Sequence, residues 1–492
     1  MMTIISIKPL AAILVSLLVV PILASSRKPN VREAWTFAAA LIKFGIIASM
    51  VPAVLAGNTL ELTIVPFFAG IDFKLQVDAF GLLFALVSSF LWIVTSAYSI
   101  GYMRGLDEPS QTRYFCFFAV ALSATVGVAF SANLLTMYLF YEILSLSTYP
   151  LVTHHQDPEA RSSGRKYLTY IMGGSIGLVL PAMVAVYLIT GTLDFAGGGI
   201  FAGGLAFAHA LPLLLMFVFG FSKAAVMPMH AWLPAAMVAP TPVSALLHAV
   251  AVVKVGVFCV FRVVTGIFGP ELLQGFDLGT LLCVIAAITI LVSSLIALSQ
   301  DNLKRRLAFS TIGQLSYIVL GAALLSQSGM TGGLLHIAMH AFGKITLFFC
   351  AGAIVVATGI KNISEMVGIG RQMPLTMAAF FIGSLSVIGL PPCGGFISKW
   401  HLAIGTIEAE QFDMLAVLLI SSLLNAAYFL PIVYRAFFCT ETESMFDNRF
   451  NEAPGWCLTP PLVTAVISVL LFFYPQPFLN LSQLAVSRIL GG

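Results

Sequence analysis

Charge is what this 492-residue chain has least of. Asp, Glu, Lys and Arg make up 9 % of it and apolar residues 59 %, whereas about 25 % of an average soluble domain is charged. So little polar surface cannot cover a water-soluble fold of this size, which makes the chain a polytopic, all-α membrane protein. Its apolar runs are continuous and close to about 20 residues, not alternating in tens, and that excludes a β-barrel. Paired cysteine is the second lack. The seven cysteines are scattered without a C-x-x-C spacing, so neither an iron–sulfur cluster nor a structural zinc site is expected, and no cofactor. A net charge of +3 is too small for a nucleic-acid partner. Long polar linkers are also missing, so no soluble domain is inserted. The stretch from Met1 to Ala24 resembles a signal peptide, but the many spans behind it make it the first transmembrane helix.

Breaks at glycine, proline and charge clusters predict about fourteen spans. They lie near 9–25, 35–56, 79–100, 113–130, 134–152, 166–190, 210–228, 243–264, 279–299, 306–325, 332–358, 376–401, 413–435 and 457–475. The Gly/Ala-rich run from Ala196 to Ala206 reads as a loop or a short interfacial helix. Fifteen lysines and arginines, from Arg27 to Arg449, fall in linkers of one side, and only Lys8, Lys74 and Arg488 on the other. That asymmetry predicts both termini on the non-cytoplasmic side, and the expected location is a prokaryotic-type cell (inner) membrane. Lys43 and Arg262 stand near helix ends, where their heads would snorkel to the interface.

Six basic residues lie within the spans, Lys43 and Arg262 with Lys223, Lys254, Lys344 and Lys399, so lysine dominates them. A lysine at the bilayer centre costs about 2.5–3.5 kcal/mol on insertion scales, so each needs a reason. Lys223 and Lys254 lie in two apolar runs separated by Pro228, Pro234, Pro240 and Pro242, and broken helices are tolerated where they line a protein-enclosed or water-filled cavity. Gly220-Phe221-Ser222-Lys223 is echoed by Gly395-Phe396-Ile397-Ser398-Lys399, behind Pro391-Pro392. An offset of five helices reverses direction, so the repeat is inverted. It divides the chain into 1–112 (three helices), 113–264 (first repeat), 279–435 (second, inverted repeat) and 436–492 (last helix and tail).

Glu142 is the one acid placed well inside a span. It reads as a charge partner that tunes Lys223, or as a neutral structural acid. Burial brings a lysine toward proton exchange near neutral pH, which makes Lys223, Lys254 and Lys399 candidates for proton transfer. His336, His340 and Lys344 recur every four residues and form one helical stripe, a spacing that suits a water-bridged relay. Zinc is the rival there, but no third ligand joins the stripe. His248, six residues before Lys254, is about 120° away from it and reaches it only through water. His230 follows the break at Pro228 and caps freed carbonyls or joins the path. His154 and His155 read as part of a solvated loop.

The strings YEILSLSTYP, FSKAAVMPMHAWLPAAMVAPTPVSALLHA, VVKVGVF, DNLKRRLAFSTIGQLSYIVLG, HIAMHAFGKITLFF and GLPPCGGFISKW resemble the proton-conducting, antiporter-like subunits shared by respiratory complex I, Mrp-type cation/proton antiporters and membrane-bound hydrogenases. The resemblance spans roughly Ala119 to His401. It implies about fourteen helices in two inverted five-helix repeats, with the seventh and twelfth broken, and a proton path through Glu142, Lys223, Lys254, Lys344 and Lys399. It further implies partner membrane subunits, and protons and Na+ as cargo, with no redox chemistry in this subunit. Ala235, where many complex I members carry an acid, and Lys254-Val255-Gly256-Val257 lean toward the D-type subunit of Mrp antiporters. The histidine-rich strings lean toward complex I and hydrogenase relatives. A proton-pumping subunit of a redox complex is therefore the alternative.

Overall fold

The computed structural model describes residues 2–68, 70–201, 204–439 and 450–491. In chain order its main elements begin with β1 (Thr3–Ile5), α1 (Lys8–Ser25), α2 (Pro29–Leu55), β2 (Thr59–Phe68), β3 (Ile71–Val77), α3 (Ala79–Gly105), α4 (Gln111–Ala129), α5 (Leu134–Val152) and α6 (Pro158–Thr190). They continue with α7 (Phe207–Gly220), α8 (Thr241–Phe268), α9 (Leu278–Ser299), α10 (Leu303–Ala323), α11 (Gln327–Thr358), α12 (Pro374–Ile388), α13 (Gly394–Glu408), α14 (Phe412–Phe438), α15 (Gly455–Phe473) and α16 (Gln476–Leu490). In lipid every backbone amide must be satisfied within the segment, so continuous apolar runs become helices. Their starts are marked by polar caps: Asp78 accepts from Gly81 N, Asn133 from Thr136 N and Asp157 from Ala160 N. Each cap answers an amide that the first helical turn leaves free.

Among the described residues ten helices are long and apolar enough to cross a membrane: α1–α4, α6, α8, α9, α11, α14 and α15. The other four expected spans fall on the more polar helices α5 and α10 and on two interrupted helices. One interruption follows α7 at Gly220; the other separates α12 from α13. The seventh helix therefore stops eight residues short of the expected boundary. The 32-residue helix α11 is the hub, packed against α3, α8, α10, α12, α13 and α15.

Two elements escaped the sequence reading. A three-stranded sheet, ordered β1-β2-β3, forms at one end, with β1 parallel and β3 antiparallel to β2. Its strands were masked by helix-like apolar runs on both sides. The expected C-terminal tail is instead a helix, α16, laid against α3 and α11; its period of apolar residues is that of a surface helix and too polar for a span. Lys8, Lys74 and Arg488 gather at the sheet end: Lys74 pairs with Glu61 at 2.8 Å, Lys8 Nζ donates to Ser49 O, and Arg488 Nη2 donates to Gly57 O at 2.7 Å. Arg449, the last of the fifteen opposing basic residues, lies outside the described residues. The 196–206 run is a loop along the end of α8, tied by Ala196 N to Gly266 O and Ile200 N to Ile267 O; 202–203 lie outside the described residues.

Candidate functional site

The first break is a pinned structure. After α7 the chain makes one 3-10 turn, Ser222–Ala224, and Ala225 turns left-handed at φ 56°. Trp232 Nε1 donates to Ser222 O and Ser222 Oγ to Tyr170 O, both at 2.9 Å. Gly256 of α8 lies against the turn so closely that a Cβ there would stand 2.0 Å from Ala224 N. Only glycine permits that approach. Lys223 is fully buried at this turn. Its Nζ donates to Tyr141 O at 2.8 Å and to Ser145 Oγ at 2.6 Å, and lies over the Tyr141 ring. Tyr141 and Ser145 are one turn apart on α5, so both face the lysine.

Glu142 is the neighbour of Tyr141 but turns about 100° away from it. It is half-buried, on the side of α5 where Ile143 and Leu146 are exposed. Among the described residues no ion pair joins it to Lys223, and both carboxylate oxygens are enclosed without a hydrogen-bond partner. The ammonium of Lys223 is held by a backbone and a serine oxygen, so Glu142 acts on it as a neighbouring charge and not through a hydrogen bond.

Lys254 lies on α8, also fully buried, and its Nζ is 2.7 Å from His340 Nδ1 on α11. His340 stacks on His336 at 5.5 Å between ring centroids, and His336 Nδ1 is 2.8 Å from Ser398 Oγ on α13. The expected stripe on α11 thus joins Lys254 to the residue beside Lys399. Lys344, at the other end of the stripe, donates to Ser310 Oγ at 2.8 Å. His248 sits in a wider π-helical turn of α8, Leu246–Val250, against the Phe348 ring at 4.7 Å; neither ring nitrogen has a partner among the described residues. His230 is half-buried near Phe309 with Nδ1 unpartnered.

The second break lies at Gly389–Cys393, where Pro391 and Pro392 stand. Gly389 is left-handed at φ 88° and leaves room for the Lys399 stem, which a Cβ would meet at 2.4 Å. Lys399 Nζ donates to Ile388 O at 2.9 Å, a carbonyl that the end of α12 leaves without a helical partner, and to Ser422 Oγ at 3.2 Å. Both broken helices therefore hold a lysine at the break.

Several residues differ from the sequence expectation. Lys43 does not snorkel: it is fully buried between α1, α3 and α4, donating to Ser16 Oγ at 2.9 Å and Leu122 O at 2.7 Å beside the Trp92 ring. Neighbouring helices cover its way out. Arg262 makes a two-pronged ion pair with Asp78 at 2.6 and 3.0 Å. His154 is buried beside Glu108, not solvated, because Arg113 Nη2 holds its carbonyl at 2.6 Å; burial lowers its pKa to about 4. His155, 2.9 Å from Glu108 Oε2, has its pKa raised by that hydrogen bond. Glu108 and His155 border a cavity of about 740 Å³ on the side of the basic linkers, whose lining also includes Ala239–Thr241. Sequence reasoning missed Tyr141, Ser145, Ser310 and Ser422 as partners of the lysines, and Ser398 as the partner of His336. Their signal was hydroxyls spaced one turn apart in otherwise apolar helices. Among the described residues no group of three or more His, Cys, Asp or Glu side chains is placed to hold a metal ion.

The family profile described as NADH:quinone oxidoreductase/Mrp antiporter, TM, matches residues 131–425, and one described as NADH-Ubiquinone oxidoreductase (complex I), chain 5 N-terminus, matches 68–115. NADH-quinone oxidoreductase subunit N of Desulforudis audaxviator is 34 % identical over 436 residues, 85 % of each chain. The Na(+)/H(+) antiporter subunit A1 of Staphylococcus aureus is 28 % identical over 475 residues; the match spans 89 % of this chain and 57 % of that protein. A chain in the archaeal membrane-bound sulfane sulfur reductase has the same fold, with a TM-score of 0.87 at 26 % identity, covering 98 % of this chain and 96 % of that one.

Proposed function

The chain belongs to the NADH:quinone oxidoreductase/Mrp antiporter family of membrane subunits, and on that premise we propose that it moves protons across the membrane as one subunit of a larger complex. The observation that supports this is the buried line Lys254, His340, His336 and Ser398, with Lys399 next in sequence. Amine, imidazole and hydroxyl can each accept and release a proton, and lysine held out of water does so near neutral pH. Lys223 and Lys344 extend this set, each bonded within the membrane part of the fold, and Glu142 stands next to Tyr141, the residue that holds Lys223. Two broken helices, each placing a lysine at the break, are the form in which transporters hold ion sites at membrane depth. The cargo reading is exchange of a monovalent cation, Na+, for protons as a D-type antiporter subunit. Ala235 and Lys399 favour it, since both depart from the acids common in complex I relatives. The subunit sits in a prokaryotic-type inner membrane, with both termini away from the cytoplasm.

A second reading has one observation in its favour. The match to subunit N extends over 85 % of both chains, which supports a pump module of a redox complex whose partners hold the flavin, clusters or nickel. Purifying the complex with its partners and assaying iron and NADH oxidation separates the two. For proton movement itself, Glu142→Ala and Lys223→Ala in the assembled complex should each abolish uptake of protons by vesicles. Full uptake in both variants would refute the proposal.

A further inference from the structure

Near the first break lies a smaller cavity, of about 340 Å³, whose charge is of one sign. Lys166 of α6, His230 of the segment after Pro228 and Arg305 of α10 line it, together with Gln300 and Phe309. Among the described residues no acid does. The cavity of about 740 Å³ shares Pro234, Ala235 and Arg305 with it, but there Glu108, Asp157 and Glu159 stand with His155, Lys304 and Lys361.

The two cations of the smaller cavity are also unspent. Among the described residues neither the Lys166 ammonium nor the Arg305 guanidinium has an ion-pair or hydrogen-bond partner, and both side chains are exposed. Like charges gathered at the edge of a low-dielectric fold are unfavourable until a counter-charge joins them. Ala235, where many complex I members carry an acid, is in the wall of this cavity. A methyl group there supplies no counter-charge, so the chain itself leaves the cluster open to an anion.

The adjoining surface indicates what kind of anion. Helix α9 ends at Ser299, one residue before Gln300, and Ile288, Val292 and Leu295 are exposed along it. Their spacing of four and three residues puts them on one face, and an exposed apolar stripe on a membrane helix is a surface for acyl chains. Chains lying along this stripe bring their headgroup to Gln300 and the cavity, at the end of the fold where the basic linkers gather. Basic pockets between membrane helices are where acidic lipid headgroups bind.

We propose that this cavity holds the phosphate of an anionic phospholipid whose acyl chains run along α9. Arg305 offers a planar fork to two phosphate oxygens, Lys166 a point charge, and His230 stands on the third side. A soluble anion would answer the charge but leave the stripe uncovered. The bound lipid ties α6 and α10 to the segment that leads from the first break into α8. This role is independent of what the subunit moves.

The complex purified with its partners, stripped of lipid in detergent, is mixed with phosphatidylglycerol or phosphatidylcholine, and retained lipid is counted by native mass spectrometry. The unmodified complex should retain phosphatidylglycerol in preference. Lys166→Gln together with Arg305→Gln should weaken that retention at least about tenfold and leave phosphatidylcholine unchanged. Ala235→Asp, which keeps both cations but adds a carboxylate to the wall, should weaken it as well. Lys166→Arg with Arg305→Lys should keep most of it. Phosphatidylglycerol should raise the thermal midpoint of the unmodified complex more than that of the double glutamine variant. Undiminished phosphatidylglycerol retention in that variant would overturn the proposal, and so would equal loss of both lipids. Displacement of the lipid by inorganic phosphate at equal concentration would overturn it in favour of a free anion. A map of the complex with a partner subunit's acidic side chain in the cavity would overturn it in favour of a protein contact.

Discussion

Lys254 and His340 meet at 2.7 Å across the contact between α8 and α11, and His340 Nε2 has no hydrogen-bond partner among the described residues. Lys254→Met fills a similar volume without a charge. The complex should assemble, and proton uptake by proteoliposomes, followed with a pH-sensitive dye, should drop by about two orders of magnitude. His340→Gln, which keeps a polar group near the lysine, should lie between that variant and the unmodified protein.

Gly256 tests how tightly the first break must be held. A Cβ placed there would collide with backbone, at 2.0 Å from Ala224 N and 2.2 Å from Lys223 C, and backbone gives way less easily than a side chain. Gly256→Ala should destabilise the subunit by about 1–3 kcal/mol and lower its thermal midpoint in detergent. Proton uptake should fall too, because the displaced segment is the one that presents Lys223.

Asp78 and Arg262 form a two-pronged ion pair, with 19 % and 12 % of their side chains exposed. Burial by itself would raise the Asp78 pKa, but the charge and hydrogen bonds of Arg262 and the Gly81 amide bring it below the usual value. Its contribution is therefore present above the unfolded carboxylate pKa, about 3.9, and is lost as the pH falls through the lower folded value. Asp78→Asn should cost about 3 kcal/mol, since it leaves a largely buried guanidinium without its charge partner. Thermal unfolding of the variant at neutral pH checks this.

His155 gives a pH dependence of the opposite sign. Its pKa is raised, first by the hydrogen bond to Glu108 and against the effect of burial. The stabilisation is complete below the unfolded histidine value, about 6.5, and disappears as the pH rises through the raised folded value. His154 next to it works the other way: held neutral with a pKa of about 4, it loses stability as the pH falls from about 6.5 toward that value. Glu108→Gln should remove the His155 part, so the difference in thermal midpoint between the variant and the unmodified protein should shrink as the pH is raised above neutrality. A difference that stays constant across that range would contradict the assignment.

The positions of the spans were legible because a lipid environment demands long apolar runs, and the breaks because prolines cluster beside lysines. The four-residue stripe on α11 was legible because helical periodicity places His336 and His340 without help from the rest of the fold. Contacts between helices were not. Lys43 lies near a helix end in sequence, and only the covering by α1 and α4 shows that its head cannot reach water. Glu142 and Lys223 have matching charges on neighbouring helices, but the rotation of α5 gives Lys223 to Tyr141 and Ser145 instead. Serines in apolar helices are too common to single out, so Ser310 and Ser422 emerge only when α10 and α14 are set beside α11 and α13. The sheet was hidden for a different reason: strands of 3 to 10 residues are lost between spans when hydropathy alone sets the boundaries.

That sheet end ties together parts of the chain made far apart in time. Arg488 closes on Gly57 across 431 residues, and β1 pairs with β2 beside it. A ribosome delivers the N-terminal helices long before residue 488 leaves its exit tunnel. The helices before Gly57 are thus made, and enter the bilayer, without this clasp, and the order of translation lets this corner close only after α1–α15 have been made.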